Sequence, residues 1–190
     1  MSTTVSNERK RIHPYKFTLW VAMGSITMMF AGLTSAYLVR SAQDNWLEFD
    51  MPIIFWISTG VIILSSLFIH NAGKAFRKRQ MPLYKKMMLL TGFAGLVFIA
   101  LQLFGFYYLQ HNGVLIVNSG SNPAGSFLGV IFGLHGLHVL GGAIALAFVI
   151  RKAFSHKVKT YDALSIDLIS TYWHFVGILW IYLLLFFLVA

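Results

Sequence analysis

The chain has 190 residues, 57% of them apolar and 11% charged, with a mean hydropathy of +0.71, a balance that excludes an ordinary water-soluble domain. It has no cysteine, which excludes disulfides, thiolate metal sites and cysteine nucleophiles together. The net charge of +9 does not point to nucleic acid, because the basic residues sit in short clusters between apolar runs, where membrane topology places them.

Five runs are long and apolar enough to cross a hydrocarbon layer about 30 Å thick, which takes roughly 20 helical residues. In chain order they are Phe17 to Val39, Ile53 to Ile69, Met87 to Leu109, Phe127 to Ile150, and Ile169 to Ala190. None contains Asp, Glu, Lys or Arg, so each span satisfies its backbone internally as a helix. The fold class expected is an all-α integral membrane protein: a cytoplasmic tail, residues 1–16, and one five-helix transmembrane domain, residues 17–190. Continuous rather than alternating apolar character excludes a β-barrel. The first run exceeds the apolar core of a signal peptide and is expected to stay as a span. Pro52 opens the second span, Pro82 is expected in the basic loop before the third, and Asn118 to Gly125 reads as a turn.

If the helices alternate, 14 of the 15 Lys and Arg residues fall on one side. These include Lys16 on the N-terminal tail, Lys74 to Lys86 in the second loop, and Arg151, Lys152, Lys157 and Lys159 in the fourth. The other side carries only Arg40. The N-terminus is therefore expected in the cytoplasm and the C-terminus outside.

Three histidines are intramembrane: His135 and His138 on the fourth span, three residues apart and so on one face, and His174 on the fifth. Helical rise puts His138 roughly 17 Å and His174 roughly 22 Å below the outer boundary. One reading makes them axial ligands of a haem b; the other gives each a hydrogen bond to its own or a neighbouring helix. Haem ligation calls for well-matched pairs on facing helices, and only one imperfect pair is present, so the structural reading is preferred. Gly129 and Gly133 form a G-x-x-x-G step beside Gly136, Gly141 and Gly142, and Gly24, Thr27, Ala31 and Ser35 make a similar face on the first span. Both faces are expected to pack helices. The tryptophans, Trp20, Trp46, Trp56, Trp173 and Trp180, are expected at interface belts and lipid contacts. With no carboxylate in any span, an autonomous pump or carrier is disfavoured.

The segment GLHGLHVLGG, Gly133 to Gly142, and then YWHFVGILWIYL, Tyr172 to Leu183, resemble the last two helices of cytochrome c oxidase subunit III. The run MFAGLTSAYLV, Met29 to Val39, is similar to that family's third helix, and Leu101-Gln102 to its fifth. The resemblance implies the five-helix bacterial form of an accessory subunit in a bacterial cytoplasmic membrane. It implies subunit I as main contact, with subunit II and other oxidase subunits as further partners, and no haem or copper of its own, those metals lying in subunits I and II. The implied role is to buttress subunit I, support its proton uptake and hold phospholipid, with Arg151 and Lys152 as head-group contacts. His135, His138, Trp173, His174, Gly133, Gly136 and Asp167 are the residues expected to join helices. Three family carboxylates are absent: their places fall on Ile26, Gly105 and Gly177, while the acid seven residues before His174 is kept as Asp167.

Overall fold

The computed structural model describes residues 13–42, 51–112, 123–154 and 163–189. Trp46, Lys157, Lys159, the first 12 residues and most of the Asn118 to Gly125 turn lie outside them. The described residues form five helices: α1 (Pro14–Ser41), α2 (Ile53–Arg77), α3 (Met81–His111), α4 (Pro123–Phe154) and α5 (Leu164–Val189). Each is long and apolar enough to cross a membrane.

Within the described residues the helices cover the five apolar runs and overrun most of them, chiefly at the end where the basic residues gather. Ala72, Lys74, Ala75 and Arg77 are of types that favour helix, so α2 continues past the last residue that lipid would cover. The second loop therefore shrinks to Lys78, Arg79 and Gln80, and Lys74, Lys85 and Lys86 are helical rather than loop residues. Pro82 likewise lies in the first turn of α3, where a missing N–H costs nothing, and Pro123 to Gly125 already belong to α4.

The short connection closes as a Schellman turn. The Arg79 N–H donates to the Phe76 carbonyl at 2.9 Å and the Gln80 N–H to the Ala75 carbonyl at 3.0 Å. Arg79 supplies the left-handed residue this turn requires, with φ 57°.

Helices α2, α3, α4 and α5 form a ring in which each touches its two neighbours. Among the described residues α1 touches only α4 and α5, lying outside the ring against their junction. It is the least buried helix and α5 the most. The ring's interior is aromatic: Trp180 is fully buried and lies 5.6 Å from Phe55 of α2, 5.8 Å from Phe98 of α3 and 5.6 Å from Phe132 of α4. Two turns along α5, Trp173 fills the next layer.

Candidate functional site

Lipid offers no hydrogen bonds, so every polar side chain in the bundle must find a partner within the protein. Four pairs do so by one device, in which a donor on one helix meets a hydroxyl on another that in turn donates to a backbone carbonyl. The Trp173 Nε1–H donates to Ser65 Oγ of α2 at 3.0 Å, and Ser65 donates to the Thr91 carbonyl of α3 at 3.2 Å. The Trp180 Nε1–H donates to Thr59 Oγ1 at 2.9 Å, which donates to the Phe55 carbonyl at 2.7 Å. Gln102 Nε2 of α3 donates to Ser58 Oγ at 2.9 Å, and Ser58 uses the same Phe55 carbonyl. Tyr182 and Thr34 bond at 2.8 Å to join α5 to α1, with Thr34 donating onward to the Phe30 carbonyl at 3.0 Å. Each hydroxyl is thereby used as both acceptor and donor, and the network ties α2 to α3 and α5, and α5 to α1.

Trp173 and Trp180 are thus core residues rather than belt residues, at 1% and 0% exposure, whereas Trp20 and Trp56 are exposed at 67% and 47%. The reason is room. A Cβ on Gly95 of α3 would stand 2.9 Å from the Trp173 ring, and one on Gly142 of α4 would stand 2.9 Å from Tyr172 and 3.5 Å from Trp173. These two glycines, with Gly92 against Ile150 and Gly105 against Phe55, make the close helix approaches. Of the glycines singled out from spacing Gly142 is therefore a packing residue, whereas a Cβ on Gly133, Gly136, Gly141 or Gly24 would meet no atom within 4 Å. The small-residue faces of α1 and α4 turn outward, because the aromatic rings of α5 occupy the inner side.

The histidines go three ways. His138 Nδ1 lies 2.7 Å from the Leu134 carbonyl of its own helix, while its backbone carbonyl accepts from Tyr172 Oη at 3.0 Å. So α4 and α5 are joined at this level by Tyr172 and the His138 backbone, not by the His138 ring. His174 faces His70 of α2, ring centroids 6.4 Å apart. His135 is buried, stacked 5.4 Å from Trp180 and edge-on to Phe30, and neither ring nitrogen has a hydrogen-bond partner among the described residues. His138 and His174 do not face each other as two axial ligands must. Among the described residues no group of three or more His, Asp or Glu side chains is placed to hold a metal ion.

Of the three places where the resemblance would put carboxylates, those of Gly105 and Ile26 are met by apolar packing, whereas Gly177 lines a cavity of about 280 Å3 beside Ser66. A Cβ on Gly105 would come within 2.7 Å of the Phe55 ring, one on Gly177 would touch Ile62 at 3.4 Å, and Ile26 packs against the core. Asp167 is held by two cations from other helices, Lys16 Nζ of α1 at 3.1 Å and Arg77 of α2 at 2.8 Å. Arg151 and Lys152 are exposed at the same end, with Lys152 Nζ 3.5 Å from Ser165 Oγ. Between α3 and α4 lies an apolar cavity of about 380 Å3 lined by Phe98, Gln102, Phe132, Gly133, His135 and Gly136.

Sequence reasoning passed over Ser58, Thr59, Ser65, Thr91, Tyr172 and His70. The signal was available for four of them: hydroxyl residues inside otherwise apolar spans need a partner, as the histidines do.

An all-helical, multi-pass membrane subunit whose helices are joined by hydroxyl and indole hydrogen bonds, with no metal-holding group of side chains among the described residues, is the class these features define. The family model for cytochrome c oxidase subunit III matches residues 17–189. The chain is 32% identical to a probable cytochrome c oxidase subunit 3 of Nocardia farcinica, covering 90% of this chain and 89% of that one. It is 28% identical to the cytochrome bo(3) ubiquinol oxidase subunit 3 of Buchnera aphidicola, covering 87% and 88%. Against the cytochrome c oxidase subunit 3 of Synechocystis it is 30% identical over 82% of this chain and 66% of the longer relative. The chain belongs to the cytochrome c oxidase subunit III family, and it is an accessory subunit of a haem-copper oxidase.

Proposed function

We propose that the chain is the non-catalytic third subunit that seats against subunit I, stabilises it and its proton uptake, and holds phospholipid at their junction. Haem and copper reside in subunits I and II in this reading, and the complex reduces oxygen to water while translocating protons. Residues 17–190 act as one transmembrane domain in a bacterial cytoplasmic membrane, with the basic end in the cytoplasm, in accord with the positive-inside rule.

One observation carries the reading. The hydroxyls of Thr34, Ser58, Thr59 and Ser65 and both core indoles are committed to helix–helix bonds, and of the places where the resemblance would put carboxylates those of Gly105 and Ile26 make apolar contacts. A rigid buttress with no proton-relay acids of its own is what such an interior supports. The lipid role rests on the exposed Arg151 and Lys152 at head-group level and on the apolar α3–α4 cavity, which matches an acyl chain in character. The electron donor in this reading is cytochrome c or a quinol, the relatives including a probable cytochrome c oxidase subunit and a ubiquinol oxidase subunit.

Isolating the membrane complex through a tag on this chain tests the proposal. Co-purification of a haem-copper subunit I, with its absorption spectrum and with retained phospholipid, is the expected result. A complex without such a subunit, or a haem spectrum belonging to this chain alone, overturns it.

A further inference from the structure

The apolar cavity between α3 and α4 contains two hydrogen-bonding groups that the helix network leaves unused. His135 is buried in its wall, and neither ring nitrogen is bonded among the described residues. Gln102 gives its amide N–H to Ser58 Oγ, whose own proton goes to the Phe55 carbonyl. That leaves the Gln102 side-chain carbonyl without a partner among the described residues. A neutral imidazole is one donor and one acceptor, and in lipid a polar group without a partner is costly.

Depth separates the candidate ligands. The apolar run of α3 ends at Leu109 and that of α4 begins at Phe127, both at the end away from the basic residues. Counted from there by helical rise, Gln102 lies roughly 11 Å and His135 roughly 12 Å inside the hydrocarbon. The ester and phosphate groups of a phospholipid stay at the boundary, so at this level its chains bring no polar atom. No Asp, Glu, Lys or Arg lines the cavity, which disfavours a charged head carried to this depth. What fits is an uncharged head group on an apolar tail, lying within the hydrocarbon.

The lining suits a flat ring. Phe98, Phe106 and Phe132 supply aromatic surface. Gly133 and Gly136 give α4 a wall without side chains, since a Cβ on either would meet no atom within 4 Å. Towards the basic end Gly92 brings α3 against Ile150 of α4 and closes the gap. Leu103 and Leu137 at the rim are exposed, so the cavity is reached from within the membrane plane. Its volume of about 380 Å3 is that of a small-molecule site.

Resting on the lipid role of this cavity, we propose that its occupant is an isoprenoid quinone or the corresponding quinol. The ring lies against the phenylalanines and the glycine wall, and a ring oxygen accepts from the His135 imidazole. In the quinol form a hydroxyl donates to the Gln102 carbonyl. The isoprenoid tail leaves past Leu103 and Leu137 into the membrane.

The test uses the intact complex, purified through a tag on this chain and held in phospholipid nanodiscs. It is irradiated with an azido-substituted isoprenoid benzoquinone, and the cross-linked peptides are mapped by mass spectrometry. Labelling is expected on residues 98–106 and 132–140. An excess of unlabelled quinone should displace it, and the same excess of squalene, a chain without a polar head, should not. Gly136→Leu, which fills the cavity from a position with free space around it, should reduce labelling by about tenfold. His135→Phe, which keeps a ring beside Trp180, should weaken quinone affinity roughly two- to tenfold, the worth of one hydrogen bond. No label in either segment, equal displacement by squalene, or labelling unchanged by Gly136→Leu overturns the proposal. The first two arms use the unaltered chain and decide it even where a variant fails to assemble. Phospholipid is measured in the same sample: an unlabelled complex that keeps its lipid sinks the quinone alone, whereas a complex lacking a haem-copper subunit I sinks the accessory-subunit reading.

Discussion

Trp173 and Trp180 stand two helical turns apart on one face of α5, and each gives its indole N–H to a hydroxyl of α2, Ser65 at 3.0 Å and Thr59 at 2.9 Å. The spacing of seven residues is what stacks them in successive layers. Around them α2, α3 and α4 contribute Phe55, Phe98 and Phe132 to one layer, and α3 and α4 contribute Gly95 and Gly142 to the other. The helix that looks most like a lipid-facing span is therefore the axis on which the ring is assembled.

Truncating either ring should be far more costly than removing its hydrogen bond. Trp180→Ala is expected to destabilise the subunit by about 3 to 5 kcal/mol, the range for deleting a buried aromatic. Thr59→Val, which removes the acceptor and keeps the volume, is expected to cost about 0.6 to 2 kcal/mol. Retention of the subunit on the complex through a detergent titration measures both. Equal losses would show that the packing of the ring contributes no more than its hydrogen bond.

Five spans were legible in the sequence because lipid thickness sets their length and excludes charge from their interior. Their ends were less so, since Ala72, Lys74 and Ala75 favour helix wherever they stand, and α2 does not stop where the lipid does. The inward faces could not be read at all from hydrophobicity. In water an apolar stripe marks the buried side, but a helix in lipid is apolar all round and the stripe carries no information. For that reason Trp173 and Trp180 read from hydrophobicity as belt residues, with only the family motif marking Trp173 as a helix-joining one, and Gly133 and Gly136 read as packing residues although a Cβ on either would meet no atom of this chain. The family motif in α5 marked its residues as important without saying which neighbour each meets: Tyr172 reaches α4, Trp173 bonds α2, and His174 faces α2.

The histidine geometry separates a structural subunit from an electron carrier. Since the His138 ring bonds within α4 and His174 faces His70, replacing either with leucine is expected to leave the haem and copper content and the visible spectrum of the complex unchanged. Each replacement should weaken retention of the subunit by no more than about 2 kcal/mol. A haem band lost with either histidine, while the subunit stays bound, would refute the structural assignment.

Arg79 occupies a backbone conformation that suits glycine. A side chain in the left-handed region costs about 1 to 2 kcal/mol, and the two turn bonds at Arg79 and Gln80 are made by backbone atoms that glycine also has. Arg79→Gly and Arg79→Ala both remove the side chain, but only glycine also removes the strain, so the glycine variant is expected to be the more stable of the two by about 1 kcal/mol in thermal unfolding of the subunit. Equal stability would mean that the left-handed residue stores no strain.

Topology is testable at both ends. With 14 of 15 basic residues on one side, an enzyme reporter that works only outside the cytoplasmic membrane should be active when fused after Ala190 and inactive when inserted at Lys78 to Gln80. Activity at the three-residue turn would invert the orientation proposed here.

The lost carboxylates should differ in how readily they can be restored. Returning glutamate to position 105 places a side chain where the Phe55 ring already stands, since even a Cβ would come within 2.7 Å of it. It also puts an acid into a layer built of Phe55, Phe132 and Trp180. An intramembrane charge alone costs about 2.5 to 3.5 kcal/mol, and the steric conflict adds to it. Gly105→Glu is therefore expected to abolish stable assembly, and Phe55→Ala in the same chain to recover part of it by clearing space. Ile26 is only partly buried on the least enclosed helix, so Ile26→Glu should be tolerated better, with loss confined to the desolvation cost. Comparing subunit yield in the purified complex for the three variants tests the ordering. A Gly105→Glu subunit that assembles as well as Ile26→Glu would mean that Phe55 moves aside readily and that the aromatic layer is not what keeps the acid out.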